Sequence, residues 1–177
     1  ALPMGLYAAA YQGRWPDKLL MGSTQLGLGI PSFWLAMLLI VVFAVRLQWV
    51  SAGGFPGWTQ DSGGGLLPAL QALILPTLAL AGVQTAILAR LTRSAVLEHV
   101  GADFVRTARA KGLGRHHILW GHVLRNAMGP ILTLLGLQFA NLLAGAIVVE
   151  NVFYLPGLGR LLFQAIANRD LLVVQNG

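Results

Sequence analysis

The sequence predicts an all-α fold, a polytopic bundle of transmembrane helices, and three observations carry that prediction. The 177 residues are 56% hydrophobic and only 10% charged, against about 25% charged in a soluble domain, so polar side chains are too few to cover a water-facing globule. Three long stretches, 19–45, 62–89 and 126–149, hold no charged residue. The basic residues between them are rich and poor in turn, as when Lys and Arg are retained on one side of a membrane. Mean hydropathy is +0.69, and the apolar content excludes a disordered chain. With no cysteine in the chain, a disulfide framework and a thiolate metal site are excluded as well.

Each element follows from its residues. The stretch 1–13 is uncharged but too short to cross, and it opens in mid-pattern with Ala-Leu-Pro-Met-Gly-Leu-Tyr. It reads as the end of a preceding span, so the chain is expected to be a fragment. It has neither the basic start nor the length of a signal peptide. The link 14–18 sets Arg14 and Lys18 against Asp17. The shortest of the three charge-free stretches would reach roughly 36 Å as a helix, against about 30 Å of hydrocarbon. One charge at the bilayer centre costs about 2.5–3.5 kcal/mol on the insertion scale, so three long runs without any are informative. Within them stand Gly22, Gly27 and Gly29 before Pro31, then Gln71, Pro76 and Gln84, then Gln138 and Asn141. Small residues and amides serve as helix–helix glue or line a polar route, and the residues leave both readings open. The loop 46–65 is rich in Gly, Pro, Ser and Trp, with Trp49 and Trp58 suited to the interfacial belt.

The charges set the orientation. The loop 90–125 carries Arg90, Arg93, Arg106, Arg109, Lys111, Arg115 and Arg125 against Glu98 and Asp103. In 46–65, Arg46 is balanced by Asp61, and in 150–177 Arg160 and Arg169 are balanced by Glu150 and Asp170. The expected topology therefore has 14–18 and 90–125 cytoplasmic, with 46–65 and 150–177 extracytoplasmic, in a multi-pass protein with three full spans.

The basic loop has internal order. Asp103 is placed to cap a short helix that begins at Phe104 and runs to Lys111. Gly112 then stands where a helix-terminating glycine would. Leu113-Gly114 makes a turn, and Arg115 to Val123 resumes as helix into the next span. A knob carrying Ala108, Ala110 and Gly112 among cations suits docking into a groove on another protein. Further on, Pro156-Gly157-Leu158-Gly159 reads as a turn into a short amphipathic stretch, 160–167.

These residues carry a resemblance. Asp103-Phe-Val-Arg-Thr-Ala-Arg-Ala-Lys-Gly-Leu-Gly114, followed by His122-Val-Leu-Arg-Asn-Ala-Met-Gly-Pro130, resembles the cytoplasmic loop of ABC-importer permeases, closest to the dipeptide, oligopeptide and nickel branch. Gly112 matches the glycine of the Glu-Ala-Ala-x-x-x-Gly loop pattern and Ala108 its second alanine. Arg106 and Thr107 stand at the Glu and first Ala positions, and His122 and Arg125 where the general pattern has Ile and Pro, departures that the peptide branch shares. Val149-Glu-Asn-Val-Phe-Tyr-Leu-Pro-Gly-Leu-Gly-Arg160, with Ala165-Ile and Arg169-Asp170, is similar to the outer segment of the same branch, although Leu171-Leu172 stand where an aromatic-Pro pair is usual. A weaker match is Ile30-Pro-Ser-Phe-Trp34. The resemblance covers essentially the whole chain.

The resemblance implies a single transmembrane permease domain over 1–177, of the type I ABC importer kind, about six spans when complete. Peptides or a related small solute, such as a nickel chelate or glutathione, are the implied cargo. The 90–125 region is the implied coupling loop, with Arg106, Ala108, Arg109, Lys111, Gly112, Leu113 and Arg115 docking a cytoplasmic ATPase. Glu150, Phe153, Pro156, Gly157, Gly159, Arg160 and Asp170 belong to the implied outer gate. Implied partners are cytoplasmic ATP-binding subunits, a second and non-identical permease, an extracytoplasmic solute-binding protein and membrane lipid, in a bacterial or archaeal inner membrane. The chain is not expected to be an enzyme or to hold a cofactor, because no Gly-x-x-x-x-Gly-Lys-Ser/Thr occurs in it; ATP and Mg are bound by the partner subunits.

Competing classes fare worse. A membrane-embedded hydrolase would need a nucleophile and a base on facing spans; Ser23, Ser32, Thr77 and Thr133 lie in the spans, but no histidine does. A secondary transporter would show ionisable groups inside the spans. His116 and His117, with His99 and His122 nearby, tempt a metal reading, but adjacent residues are about 100° apart on a helix, and no carboxylate stands at i+3 or i+4 from the adjacent pair. Nucleic-acid binding is not needed to account for a net charge of +6 once retention of cations on one membrane face does so.

Overall fold

Charge-free apolar runs fold here as helices, and Gly and Pro decide where each one stops. The computed structural model describes residues 1–59 and 63–169, and among these no strand occurs. Helix α1 is Leu2–Ala10, with Pro3 in the first turn, where a missing N–H costs no hydrogen bond. Helix α2 is Trp15–Gly29. Helix α3 is Ser32–Leu39 and continues as a π-helical segment, Ile40–Arg46. Helix α4 is Leu66–Val100 and α5 is Asp103–Ala110. Helix α6, Arg115–His117, passes through a π-helical segment, Ile118–Val123, into α7, Leu124–Val152. Helix α8 is Leu158–Ala167. This is the all-α transmembrane architecture that the composition predicted.

Two boundaries differ from the sequence reading. The stretch 19–45 is not one unbroken helix. Pro31 is extended (φ −61°, ψ 142°), and a proline both lacks the N–H for a helical bond and turns its predecessor away from the α region. By length and composition α4 and Arg115–Val152 are each sufficient to cross a membrane alone, whereas α2 and the segment from Ser32 to Arg46 reach that length only when taken together. Helix also overruns the charge-free stretches: α4 continues past Ala89 to Val100, so the connector before Arg115 is short.

Pro76 and Pro130 lie inside α4 and α7 without ending them, as is tolerated in spans where neighbouring groups satisfy the freed carbonyl. Only 22% and 11% of the most apolar windows of the two long helices are buried. Their outward Leu, Ile and Phe side chains suit lipid or further protein rather than water.

The chain divides into two compact units: Ala1–Gly29 with Val83–Ala140, and Ile30–Gly82 with Asn141–Gly177. The first unit has a core of Leu6 and Ala9 from α1, Ala95 and Val96 from α4, Val105 and Ala108 from α5, and Ile118, Leu119, Val123, Ala127 and Ile131 from the helix that ends in α7. Gly5 lets α1 and α4 come close: a Cβ there would stand 2.5 Å from the Ala89 carbonyl oxygen and 2.6 Å from Thr92 Cβ. The second unit packs Ala36, Leu75, Ala79, Val149 and Phe153 together. Its connecting loop is pinned by Gly54, whose N–H donates to the Phe153 carbonyl at 2.8 Å.

Candidate functional site

The basic connector is built on α5. Its N-cap is Ala102, with extended backbone (ψ 155°) and no side-chain cap, so Asp103 is the first helical residue rather than the cap expected of it. Asp103 still lies in the first turn, where a carboxylate meets the positive end of the helix dipole. Arg106 Nη1 lies 3.6 Å from its Oδ1, with both side chains almost fully solvated, so the pair adds little.

The other end of α5 is where the sequence placed it. Gly112 has φ +79°, a left-handed conformation that a side chain would strain. Its N–H donates to the Arg109 carbonyl at 2.9 Å and the Leu113 N–H to the Ala108 carbonyl at 3.2 Å, the bond pair of a Schellman terminus. A Cβ on Gly112 would meet nothing within 4 Å, so glycine is required there for backbone conformation, not for space within this chain.

The faces of α5 are sharply divided. Val105 and Ala108, three residues apart and therefore on one face, are 1% and 6% exposed and sit in the first unit's core. Arg106, Arg109, Ala110, Lys111, Gly112 and Leu113 are exposed. Of the predicted docking set, Ala108 thus faces inward and holds the helix down, while the others are exposed, Arg106, Arg109, Lys111 and Arg115 bringing positive charge to that side. Arg115 is exposed, yet its guanidinium donates to the carbonyl oxygen of Ala10 at the C-terminus of α1. It ties the connector to α1 and favours the negative end of that helix's dipole. The connector is therefore not a free-standing knob but a basic face on a shared core.

At the opposite set of residues, Glu150 holds the turn between α7 and α8. Its Oε2 accepts the Gly159 N–H at 2.8 Å, satisfying a donor in the first turn of α8 that has no partner within the helix. A Cβ on Gly157 would collide with the Glu150 carboxylate, and one on Gly159 would stand 2.5 Å from Ile147 Cα. After α7 ends at Val152, the chain turns through Tyr154 (φ +53°), with the Leu155 N–H donating to the Glu150 carbonyl at 2.9 Å. Arg160 donates to the Tyr154 carbonyl at 3.1 Å and lies over its ring, 5.2 Å from the centroid. Phe153 is buried in the second unit's core, and Pro156 is exposed beside the turn. Glu150, Phe153, Gly157, Gly159 and Arg160 are thus brought together as one structured turn; Asp170, with Leu171 and Leu172, lies outside the described residues.

Sequence reasoning missed one constellation. Asp17, 4% exposed, accepts from Arg93 Nε at 2.6 Å and Nη2 at 2.7 Å, and from the Gly13 N–H at 2.8 Å. Arg90 Nη1 donates to Gln25 Oε1 at 2.8 Å nearby. These contacts fasten α2 to α4. The available signal was that Asp17, Arg90 and Arg93 all flank charge-free stretches on the same predicted side. Their spacing along the chain gives no hint of which charge meets which. Among the histidines, the His116 ring stacks on Trp120 and the His117 ring lies 6.0 Å from that of His122.

Known proteins place this architecture. Over 172 residues the chain is 44% identical to a protein of Brucella abortus (strain 2308) named for a peptide transport system permease, with 97% of this chain and 54% of that protein covered. Over 171 residues it is also 44% identical to the glutathione transport system permease protein of Escherichia coli (strain K12), with 97% and 52% covered. The chain thus spans about half the length of the curated relatives it matches. Residues 1–175 match the family described as the binding-protein-dependent transport system inner membrane component, and with a match over nearly its whole length the chain belongs to that family.

Proposed function

We propose that this chain is part of a permease subunit of an ATP-binding-cassette importer, forming half of a translocation path for peptides or a related small solute such as glutathione or a nickel chelate. One observation carries the reading: α5 turns a solvated basic face outward while its other face is built into the same core as α1, α4 and α7. A cytoplasmic ATPase subunit with an acidic groove gains charge complementarity there. Closure of two such subunits around ATP pulls on α5, and Val105 and Ala108 pass the pull to Leu6, Ala95 and Val123 within one packed core. The chemistry belongs to the partner, and this chain supplies the path and the lever. Family membership and the transport names of the relatives support the reading. In this orientation 14–18 and 90–125 face the cytoplasm, and the Glu150 turn with α8 faces outward beside the solute-binding protein. A second, non-identical permease supplies the other half of the path.

The test is co-purification of the full-length protein with its ATPase subunit from detergent, comparing wild type with Gly112→Asp and with Arg109→Glu/Lys111→Glu. Wild type retains the ATPase, and the variants lose it at least tenfold while remaining in the membrane. Wild type purifying with no ATPase, or variants that hold it as well as wild type does, would overturn the reading.

A further inference from the structure

The Asp17–Arg93 pair lines a cavity of about 580 Å³ in the first unit, together with Lys18, Gln25, Arg90 and Ser94. Its charge is unbalanced. Three cations face a single carboxylate, and both oxygens of that carboxylate are already occupied by Arg93 and the Gly13 N–H. Arg90 uses only Nη1, toward Gln25. The rest of its guanidinium and the exposed Lys18 ammonium meet no protein acceptor among the described residues. The cavity therefore offers a net positive charge and N–H donors that meet no protein acceptor among the described residues, which is the chemistry of an anion site.

Its depth identifies the anion. Lys18 is the last charge before the stretch 19–45 and Arg90 the first after 62–89, so the cavity stands where hydrocarbon gives way to headgroups. On the same helix, outside the cavity lining, Trp15 is 72% exposed and Leu19 54%, an aromatic and an apolar side chain of the kind found at a membrane interface. We propose that this cavity binds the phosphodiester of an anionic phospholipid, with Lys18 and Arg90 as its donors and the Asp17–Arg93 pair as the fixed wall behind them. A lipid held there bridges α2 and α4 at the point where the ion pair already joins them. The inference rests on the reading above only for the side of the membrane it assigns.

The experiment uses the full-length permease in its assembly, with retained phosphatidylglycerol and phosphatidylcholine counted by native mass spectrometry after exchange into mixed vesicles of the two. Phosphatidylglycerol is expected to be retained preferentially. Lys18→Gln and Arg90→Gln should each weaken retention about fivefold, the effect of removing one cation near a lipid surface. Arg125→Gln, which removes a cation at the edge of a different charge-free stretch, should change it less than twofold. Equal retention of the two lipids, or an Arg125→Gln loss as large as the others, would leave only a diffuse field and overturn the site. Displacement of the lipid by millimolar inorganic phosphate would overturn the lipid assignment in favour of a soluble anion. Melting temperatures of the variants check that the fold is kept, and an unchanged hold on the ATPase separates failure here from failure of the importer reading.

Discussion

Asp17 and Arg93 are the residues whose removal should be felt most within the first unit. The carboxylate side chain is 5% exposed and the guanidinium 23%, and their two parallel bonds have the bidentate geometry that makes such pairs strong. Removing one partner of a buried pair leaves the other charge unsatisfied and costs about 3–5 kcal/mol. Arg93→Ala, with its partial exposure, should fall near the lower end, and Asp17→Asn should cost less because its amide still accepts from Gly13. The double variant should be more stable than the sum of the single losses, and a thermal-unfolding double-mutant cycle reads that coupling. Strict additivity would mean that the pair does not hold α2 to α4. At the other turn, Gly159→Ala presses a methyl against Ile147 backbone, and overpacking of this kind costs about 1–3 kcal/mol. Gly157→Ala meets only the movable end of Glu150, so its cost is the lost bond to the Gly159 N–H, about 1 kcal/mol. Glu150→Gln keeps an acceptor and should be nearly neutral; the three melting temperatures rank accordingly. The turn at 156–159 was legible in the sequence, but these partners were not. The carboxylate at 150 had no visible partner in the sequence, because its partner is a backbone N–H brought near by the left-handed turn at Tyr154, a conformation that an aromatic side chain gives no reason to expect.

Helix α5 shows what sequence does reveal at the level of an element. Its glycine terminus was legible because few residues other than Gly take φ near +79° without strain, so Gly112 after a helix-compatible run has one natural meaning. Its start was not, because Asp103 suits either the cap or the first turn, and the extended backbone of Ala102 decided for the latter. The break between α2 and α3 follows from Pro31, but absence of charge concealed it: hydropathy measures whether a segment suits lipid, not whether its hydrogen bonds run on. The predicted docking set mixed two faces for a similar reason, since the resemblance named positions while helical spacing decides that Ala108 lies with Val105. Two substitutions separate the roles. Gly112→Ala should cost about 1 kcal/mol through backbone strain alone, and Gly112→Asn less, since Asn tolerates the left-handed region. Ala108→Asp buries a charge in the core and should abolish stable insertion of the connector. Limited proteolysis around 103–114 reads both, and a protease-resistant Ala108→Asp would contradict the inward face of α5.

For the molecule as a whole the core of the first unit matters more than any one helix. Leu6, Val105, Ile118 and Ile131 come from elements far apart in sequence and are each nearly inaccessible, and interiors packed at that density transmit displacement rather than absorb it. On the importer reading proposed above, docking and transmission should therefore be separable by mutation. Reversing charge on the outward face, as in Arg109→Glu, would on that reading remove partner contacts and should lower ATP hydrolysis by the assembly and solute uptake together. Val105→Ala leaves that face untouched and opens a cavity beneath it, costing about 2 kcal/mol of packing. The ATPase should remain bound and turning over, while uptake per ATP hydrolysed falls severalfold as α5 moves without carrying α1, α4 and α7 with it. Arg115→Ala, which releases the α6 end of the connector from Ala10, should act in the same direction and more weakly, because the packed core remains. Reconstituted full-length assemblies assayed for both quantities give the answer. A Val105→Ala variant that loses ATPase and uptake in parallel would place this core in partner binding, and one that loses neither would mean that force reaches the spans by a route other than α5.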